Sequence, residues 1–215
     1  MIEKLLSALK EKYALVELEI GEFSTLKASG MKFSVSAYEA EGLGHVSIMR
    51  AKGFFGLMKM DTLMITPFDS DLPLYSYDRI YAMGNDTLIV ELYDTLVNPL
   101  DLSALDKVKS KYTHLAERDP GTHWYDAIKF KESISKKGKK AQTKDFDDLA
   151  LEHFDGYLNL PAEKVLDKAK KQELSKRYVD GLLSQGGPST DVFKKELGVE
   201  KTKKLFEQVL FGTQA

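Results

Sequence analysis

Hydrophobic and polar positions change their period once along this chain, near residue 100. Ile2, Leu5, Leu6 and Leu9 recur at helical spacing and predict a short amphipathic helix within residues 1–13. Beyond it the period falls to two. Met31, Phe33, Val35 and Ala37 alternate with Lys32, Ser34, Ser36 and Tyr38; Glu41 to Gly44 reads as a turn, and His45 to Lys52 alternates again. Gly53-Phe54-Phe55-Gly56 reads as a hairpin turn, and Leu57 to Thr66 is a third run. Pro67 to Tyr77, with two Pro and two Asp, reads as a loop; Arg79–Met83 and Thr87–Tyr93 are two more runs joined at Gly84-Asn85-Asp86. Short turns between successive runs predict hairpins and therefore an antiparallel meander.

After Pro99 the helical period returns. Leu102, Leu105, Val108 and Tyr112 share one face of a helix ending before Asp119-Pro120-Gly121. Trp124 to Phe130 reads as a strand or an irregular segment, and Ser135 to Lys140 as a loop. Asp145 to Leu158 is a helix with Phe146, Leu149, Ala150 and Phe154 on one side. Pro161 is placed to open a long helix running to Gln185, stopped by Gly186-Gly187-Pro188. A short helix reaches Leu197, Gly198 ends it, and a last helix runs to Phe211. Strands first and helices second predict an α+β fold, one domain over residues 1–215, with an antiparallel sheet covered by helices on its faces.

Composition narrows the chemistry. The chain has 215 residues, 43% hydrophobic and 30% charged, with no Cys. That excludes a disulfide framework, a Cys-ligated metal and a thiol nucleophile. The net charge of -2 gives no global basic field for nucleic acid. Charge is uneven, however: residues 129–144 hold seven Lys against the single Glu132. No apolar run reaches membrane-spanning length. The N-terminus has early charges of both signs and no uninterrupted apolar stretch, so a signal peptide is not expected and the expected location is cytoplasmic. There is no phosphate-cradling glycine loop, GxSxG or HExxH, and His45, His114, His123 and His153 never fall at metal-ligand spacing, so no metal site is expected. Two strand faces mix charge with apolar groups: Arg50 and Lys52 lie in phase with Val46 and Ile48, and Lys59 and Asp61 with Leu63 and Ile65. Such a face is either solvated at one end or lines a pocket.

One stretch is more specific. Asp71-Leu72-Pro73-Leu74-Tyr75-Ser76-Tyr77-Asp78 resembles the segment Asp-Leu-Pro-Ile-Phe-Gly-x-Asp of ferredoxin-dependent bilin reductases, a superfamily that includes red chlorophyll catabolite reductase. The Pro67 to Asp71 lead-in, the Trp124 segment with its Lys-rich loop and following helix, and the close at Val209-Leu210-Phe211 are similar to the family in order. The resemblance covers residues 30–211.

It implies an antiparallel central sheet sandwiched between helices, in three layers, and reduction of a linear tetrapyrrole. Electrons would arrive singly from reduced ferredoxin, side chains would supply the protons, and no cofactor would be bound. Asp78 matches the family's pocket carboxyl, a proton donor or relay. Several bilin reductases carry a His on the preceding strand; the matching position here is Asp61, a second candidate acid if it faces the pocket. The family's second acid before the penultimate helix is replaced by Gln185-Gly186-Gly187. The bilin's propionates call for cations, for which Arg50, Lys52 and Lys59 are candidates, and Tyr75 and Tyr77 would add aromatic surface. Ferredoxins are acidic, and Lys136, Lys137, Lys139 and Lys140 are the expected docking cluster. Two further readings stay open: a binding protein of the same fold that holds a tetrapyrrole or another flat ligand without turnover, and an enzyme acting on an unrelated small substrate.

Overall fold

The computed structural model of the chain describes residues 1–187 and 189–214. A helix α1 (Ile2–Lys12) leads into strands β1 (Leu15–Glu17), β2 (Thr25–Ala28), β3 (Met31–Ala40), β4 (Gly44–Gly53), β5 (Met58–Pro67), β6 (Leu74–Ala82) and β7 (Asn85–Tyr93). Then come α2 (Ser103–Ser110), β8 (Ile134–Lys139), α3 (Thr143–Leu158), α4 (Lys168–Gln185), α5 (Thr190–Leu197) and α6 (Val199–Lys204), the last continuing as a π-turn through Leu205–Leu210. The eight strands form one sheet in the order β1-β3-β4-β5-β6-β7-β8, with β2 also paired to β3. Every pairing is antiparallel. This is the antiparallel α+β sandwich that the period switch predicts.

The sheet separates two cores because side chains alternate between its faces. Val46, Ile48, Leu63, Ile65, Tyr75, Tyr77, Val90 and Leu92 face α1, α2 and α3. Their in-chain neighbours Phe33, Val35, Met49, Met64 and Tyr93 face α4, α5 and the π-turn.

Several local expectations change. Residues 135–139 are not a loop but belong to β8, which closes the sheet edge beside β7; its lysines hid its strand character. The long helix starts at Lys168, not at Pro161, because Asp167 caps it by accepting the Lys170 amide at 2.9 Å. Trp124–Ile128 forms a single 3₁₀ turn. β6 already begins at Leu74, inside the expected loop. Pro188, expected to help stop the long helix, lies outside the described residues.

Asp71-Leu72-Pro73 is a clamp. The Asp71 carboxylate accepts the Val97 and Asn98 amides, each at 2.9 Å, and pairs with the buried Lys171 ammonium at 3.1 Å. Lys171 also donates to the Leu72 and Thr95 carbonyls at 2.6 and 2.8 Å. Tyr157 of α3 donates to the Pro73 carbonyl from the other side. Most of the specific motif thus ties both helical layers to the entry of β6 and fixes the register that aims Asp78.

Candidate functional site

A cavity of about 390 Å³ lies between the sheet and the C-terminal helices. Its floor is one pleat face of β3 to β7. Met49, Thr62, Asp78 and Ile89 stand directly opposite one another across four adjacent strands. Met31, Met49, Met58, Met60 and Met64, five of the chain's seven methionines, line the cavity. Such flexible thioether walls adapt to a large, irregular apolar ligand. Phe206, Leu210 and Phe211 form the roof. Two buried polar groups of β4 hold that roof: His45 Nε2 donates to the Val209 carbonyl at 2.8 Å, and Ser47 Oγ to the Leu210 carbonyl at 2.7 Å.

The side wall depends on a close approach. The Trp124 ring packs on α4 at Gly181, where an added Cβ would sit 2.2 Å from the ring. Trp124 Nε1 donates to the Gly186 carbonyl at 2.9 Å. This anchors His123 and Tyr125, stacked at 4.8 Å, against the cavity.

Four ionisable side chains other than tyrosine enter this apolar space: Asp78, Glu91, Arg118 and His123. Asp78 Oδ1 accepts the Thr62 hydroxyl at 2.5 Å. Burial pushes its carboxyl up to about 6; the Thr62 hydrogen bond only partly offsets this, and Glu91 on the neighbouring strand adds to the rise. Glu91 is differently served, with Tyr93 donating to it at 2.6 Å and Lys129 3.5 Å away. Two carboxyls in one cavity therefore have different surroundings, one held by a hydroxyl alone and the other by a phenol and an ammonium. Arg118, at the rim, reaches Ser135 Oγ at 3.4 Å and leaves much of its fork for an anion. Among the described residues, no group of three or more His, Asp or Glu converges to hold a metal ion.

Of the residues singled out in the sequence, Asp78 lines this cavity. Asp61, Arg50, Lys52 and Lys59 have the opposite parity and project from the other face of the sheet. Arg50 pairs with Glu3 of α1. The mixed-charge face is the solvated one: helices cover its middle and leave one end open. Tyr75 and Tyr77 are fully buried in the core facing α1–α3, so they offer no surface to a ligand in this cavity. Lys136 is also buried, donating to the Leu115 carbonyl at 3.0 Å and pairing with Glu117. Lys137, Lys139 and Lys140 remain exposed.

Thr62, Glu91, Arg118, His123 and the methionine floor were missed. One signal was available: Met58, Met60, Thr62 and Met64 alternate in phase on β5. Arg118 and His123 come from an irregular segment, and their approach to the cavity has no periodicity to reveal it.

Neither a protein-family model nor a curated protein matches the chain. Among solved structures it is similar to phytochromobilin synthase from tomato, crystallised in complex with biliverdin. The TM-score is 0.75 at 15% sequence identity, and the match covers 99% of this chain and 83% of that one. The fold of this chain is therefore that of a bilin reductase, as the Asp71–Asp78 resemblance implied.

Proposed function

We propose that the cavity binds a linear tetrapyrrole and that the protein reduces it with electrons taken singly from reduced ferredoxin. The observation that carries this reading is Asp78: a carboxyl in a methionine-lined cavity, held by Thr62, whose pKa of about 6 keeps a transferable proton near neutral pH. In outline, two ferredoxins deliver two electrons in succession to the conjugated system. Asp78 gives one proton to the reduced ligand and is left as the carboxylate, and water at the cavity mouth supplies the second proton and restores the acid. Thr62 keeps the carboxyl oriented through the cycle. Arg118 receives a propionate at the rim, and Glu91 with Tyr93 and Lys129 forms a second polar cluster facing the ligand. Lys137, Lys139 and Lys140 are the proposed docking lysines for an acidic donor protein.

The test is anaerobic incubation with biliverdin, ferredoxin and a reducing system, followed by visible absorption. The expected result is a bilin-bound spectrum that shifts as the double bonds are reduced. Asp78→Asn is expected to retain binding and lose about 10²–10⁴ in turnover. In the same assay at low salt, changing Lys137, Lys139 and Lys140 to Glu is expected to slow turnover. A bound spectrum that never changes on reduction removes the enzyme and leaves the binding protein. That second reading draws on one observation: Asp61, which matches the family's strand His, points away from the cavity. Failure to bind any bilin overturns the reductase and leaves only a binding protein for another flat ligand.

A further inference from the structure

One end of the sheet carries apolar side chains outside the fold. In the β4–β5 turn, Phe54 is 55%, Phe55 109% and Leu57 64% exposed; in the adjacent β6–β7 turn, Met83 is 85% exposed. The Met83 amide donates to the Leu57 carbonyl at 3.3 Å, so the two turns form one tip. Phe54, Phe55 and Met83 have φ of 51°, 55° and 51°. Bulky residues rarely adopt this left-handed backbone, so each is held there under strain. The strain is spent on holding large apolar groups in water.

Beside this tip runs a ladder of lysines. Lys27, Lys32, Lys52 and Lys59 stand directly opposite one another on β2, β3, β4 and β5, all exposed on the face away from the cavity. Like charges in cross-strand register are destabilising, so folding alone gives no reason for the row. The nearby ion pairs Arg50–Glu3 and Lys201–Glu22 use other cations. Residues 51–60 contain no acid; Asp61 stands one row further into the sheet, opposite Arg50, and Asp86, on the ladder's own row beyond Tyr81, is paired with Arg79.

We propose that this end of the molecule docks on an anionic bilayer, with Phe54, Phe55, Leu57 and Met83 entering the headgroup–acyl boundary and the lysine ladder lying on the lipid phosphates. Two complementarities carry the assignment. The exposed apolar side chains all sit on two hairpin turns joined by the Met83–Leu57 hydrogen bond, at one end of the sheet. The cations sit immediately behind the apolar groups, at the depth where headgroup charge lies. Docking in this pose also brings Met58 and Met60, which line the cavity next to Leu57, close to the membrane. The proposal goes beyond the bilin reading and stands whatever the cavity holds.

The test is flotation of the full chain with vesicles of phosphatidylcholine alone and of phosphatidylcholine with phosphatidylserine. The expected result is binding to the mixed vesicles, lost at high salt. Lys52→Glu with Lys59→Glu should weaken it by more than the roughly fivefold that each neutralised lysine is worth. Phe54→Asn with Phe55→Asn, which suits the left-handed backbone, should abolish insertion without lowering the melting temperature. Phe55→Trp should show a blue-shifted emission on the mixed vesicles. A folded protein that stays in solution with both vesicle types overturns the proposal. So does vesicle binding unaffected by the two Phe changes, or retention on immobilised ferredoxin that depends on Lys52 and Lys59 while vesicles do not bind.

Discussion

The two faces of this sheet are built from the same strands, residue by residue, and have opposite properties. The face against α1–α3 is dense and aromatic: Tyr75 lies 5.3 Å from Phe154 and 4.6 Å from Tyr157, all fully buried. Its one fully buried strand cation, Arg79, is matched by Asp86 at 2.6 Å and lies 4.8 Å from the Phe146 ring. The face against α4–α6 is floored by methionine and left partly empty. Packing to high density gives stability but no room for a ligand; leaving a cavity sacrifices contacts and creates a place where a carboxyl can stay protonated. The division of labour between neighbouring residues of one strand, Tyr77 on one side and Asp78 on the other, is the physical basis of the site.

The largest effect expected from this contrast is in core truncation. Phe154→Ala on the dense face should cost about 3–5 kcal/mol, because a closed aromatic cluster cannot collapse around the gap. Met64→Ala on the cavity face should cost about 1–2 kcal/mol, since it only widens a space already present. Denaturant midpoints of the two variants check this, and the ligand response should be inverted: Met64→Ala changes bilin affinity and spectrum, while Phe154→Ala leaves both as they are at temperatures where it is folded. Equal costs for the two would mean that the cavity closes in solution.

How much of this was legible in the sequence follows the same contrast. Period two over 31–66 gave the central strands, because a half-covered antiparallel sheet imposes alternation on its sequence. β8 escaped because Lys136, Lys137 and Lys139 look like a solvated loop, although the first of them is buried against Glu117 and the Leu115 carbonyl. Asp78 was found through the motif. The remaining cavity residues were not, since methionines mark a cavity no differently from a core. Charge on the Arg50–Lys52–Lys59–Asp61 face drew attention to the wrong side of the sheet. Those residues are charged because that end of their face is open to water.

A smaller effect is expected in the pH dependence, where the faces act with opposite signs. Asp78 has its carboxyl raised from 3.8 to about 6 in the folded state. The folded protein therefore holds that proton where the unfolded chain has lost it, and stability falls as pH rises from 3.8 through 6. His153, buried against the Glu132 carbonyl on the dense face, is lowered from 6.5 to about 4. Its contribution is present above 6.5 and lost as pH falls toward 4. The two nearly cancel between pH 4 and 6. Asp78→Asn removes one of them: it should stabilise the protein by about 1–2 kcal/mol at pH 7, after allowance for solvent reaching the carboxyl through the cavity mouth. The gain should shrink toward zero at pH 4, leaving a steeper acid limb from His153. A gain that is the same at pH 4 and pH 7 would mean that Asp78 is ionised throughout.

The smallest effect concerns hydroxyls rather than rings. Tyr75 and Tyr77 bury their phenol oxygens without a hydrogen-bond partner among the described residues, and burial raises both far above the ordinary tyrosine range. A desolvated hydroxyl with no partner is a net cost, and removing it keeps the ring's packing. Tyr77→Phe should therefore be neutral or stabilising by up to about 1 kcal/mol, read as a small rise in melting temperature. Because Tyr77 lies on the dense face, the same substitution should leave bilin affinity and the bound spectrum unchanged, whereas Tyr93→Phe on the cavity face removes the hydroxyl that serves Glu91 and should alter both. A loss of binding in Tyr77→Phe as large as that in Tyr93→Phe would mean that the ligand reaches both sides of the sheet, and the separation of a stabilising face from a binding face would fail at its two most directly comparable tyrosines.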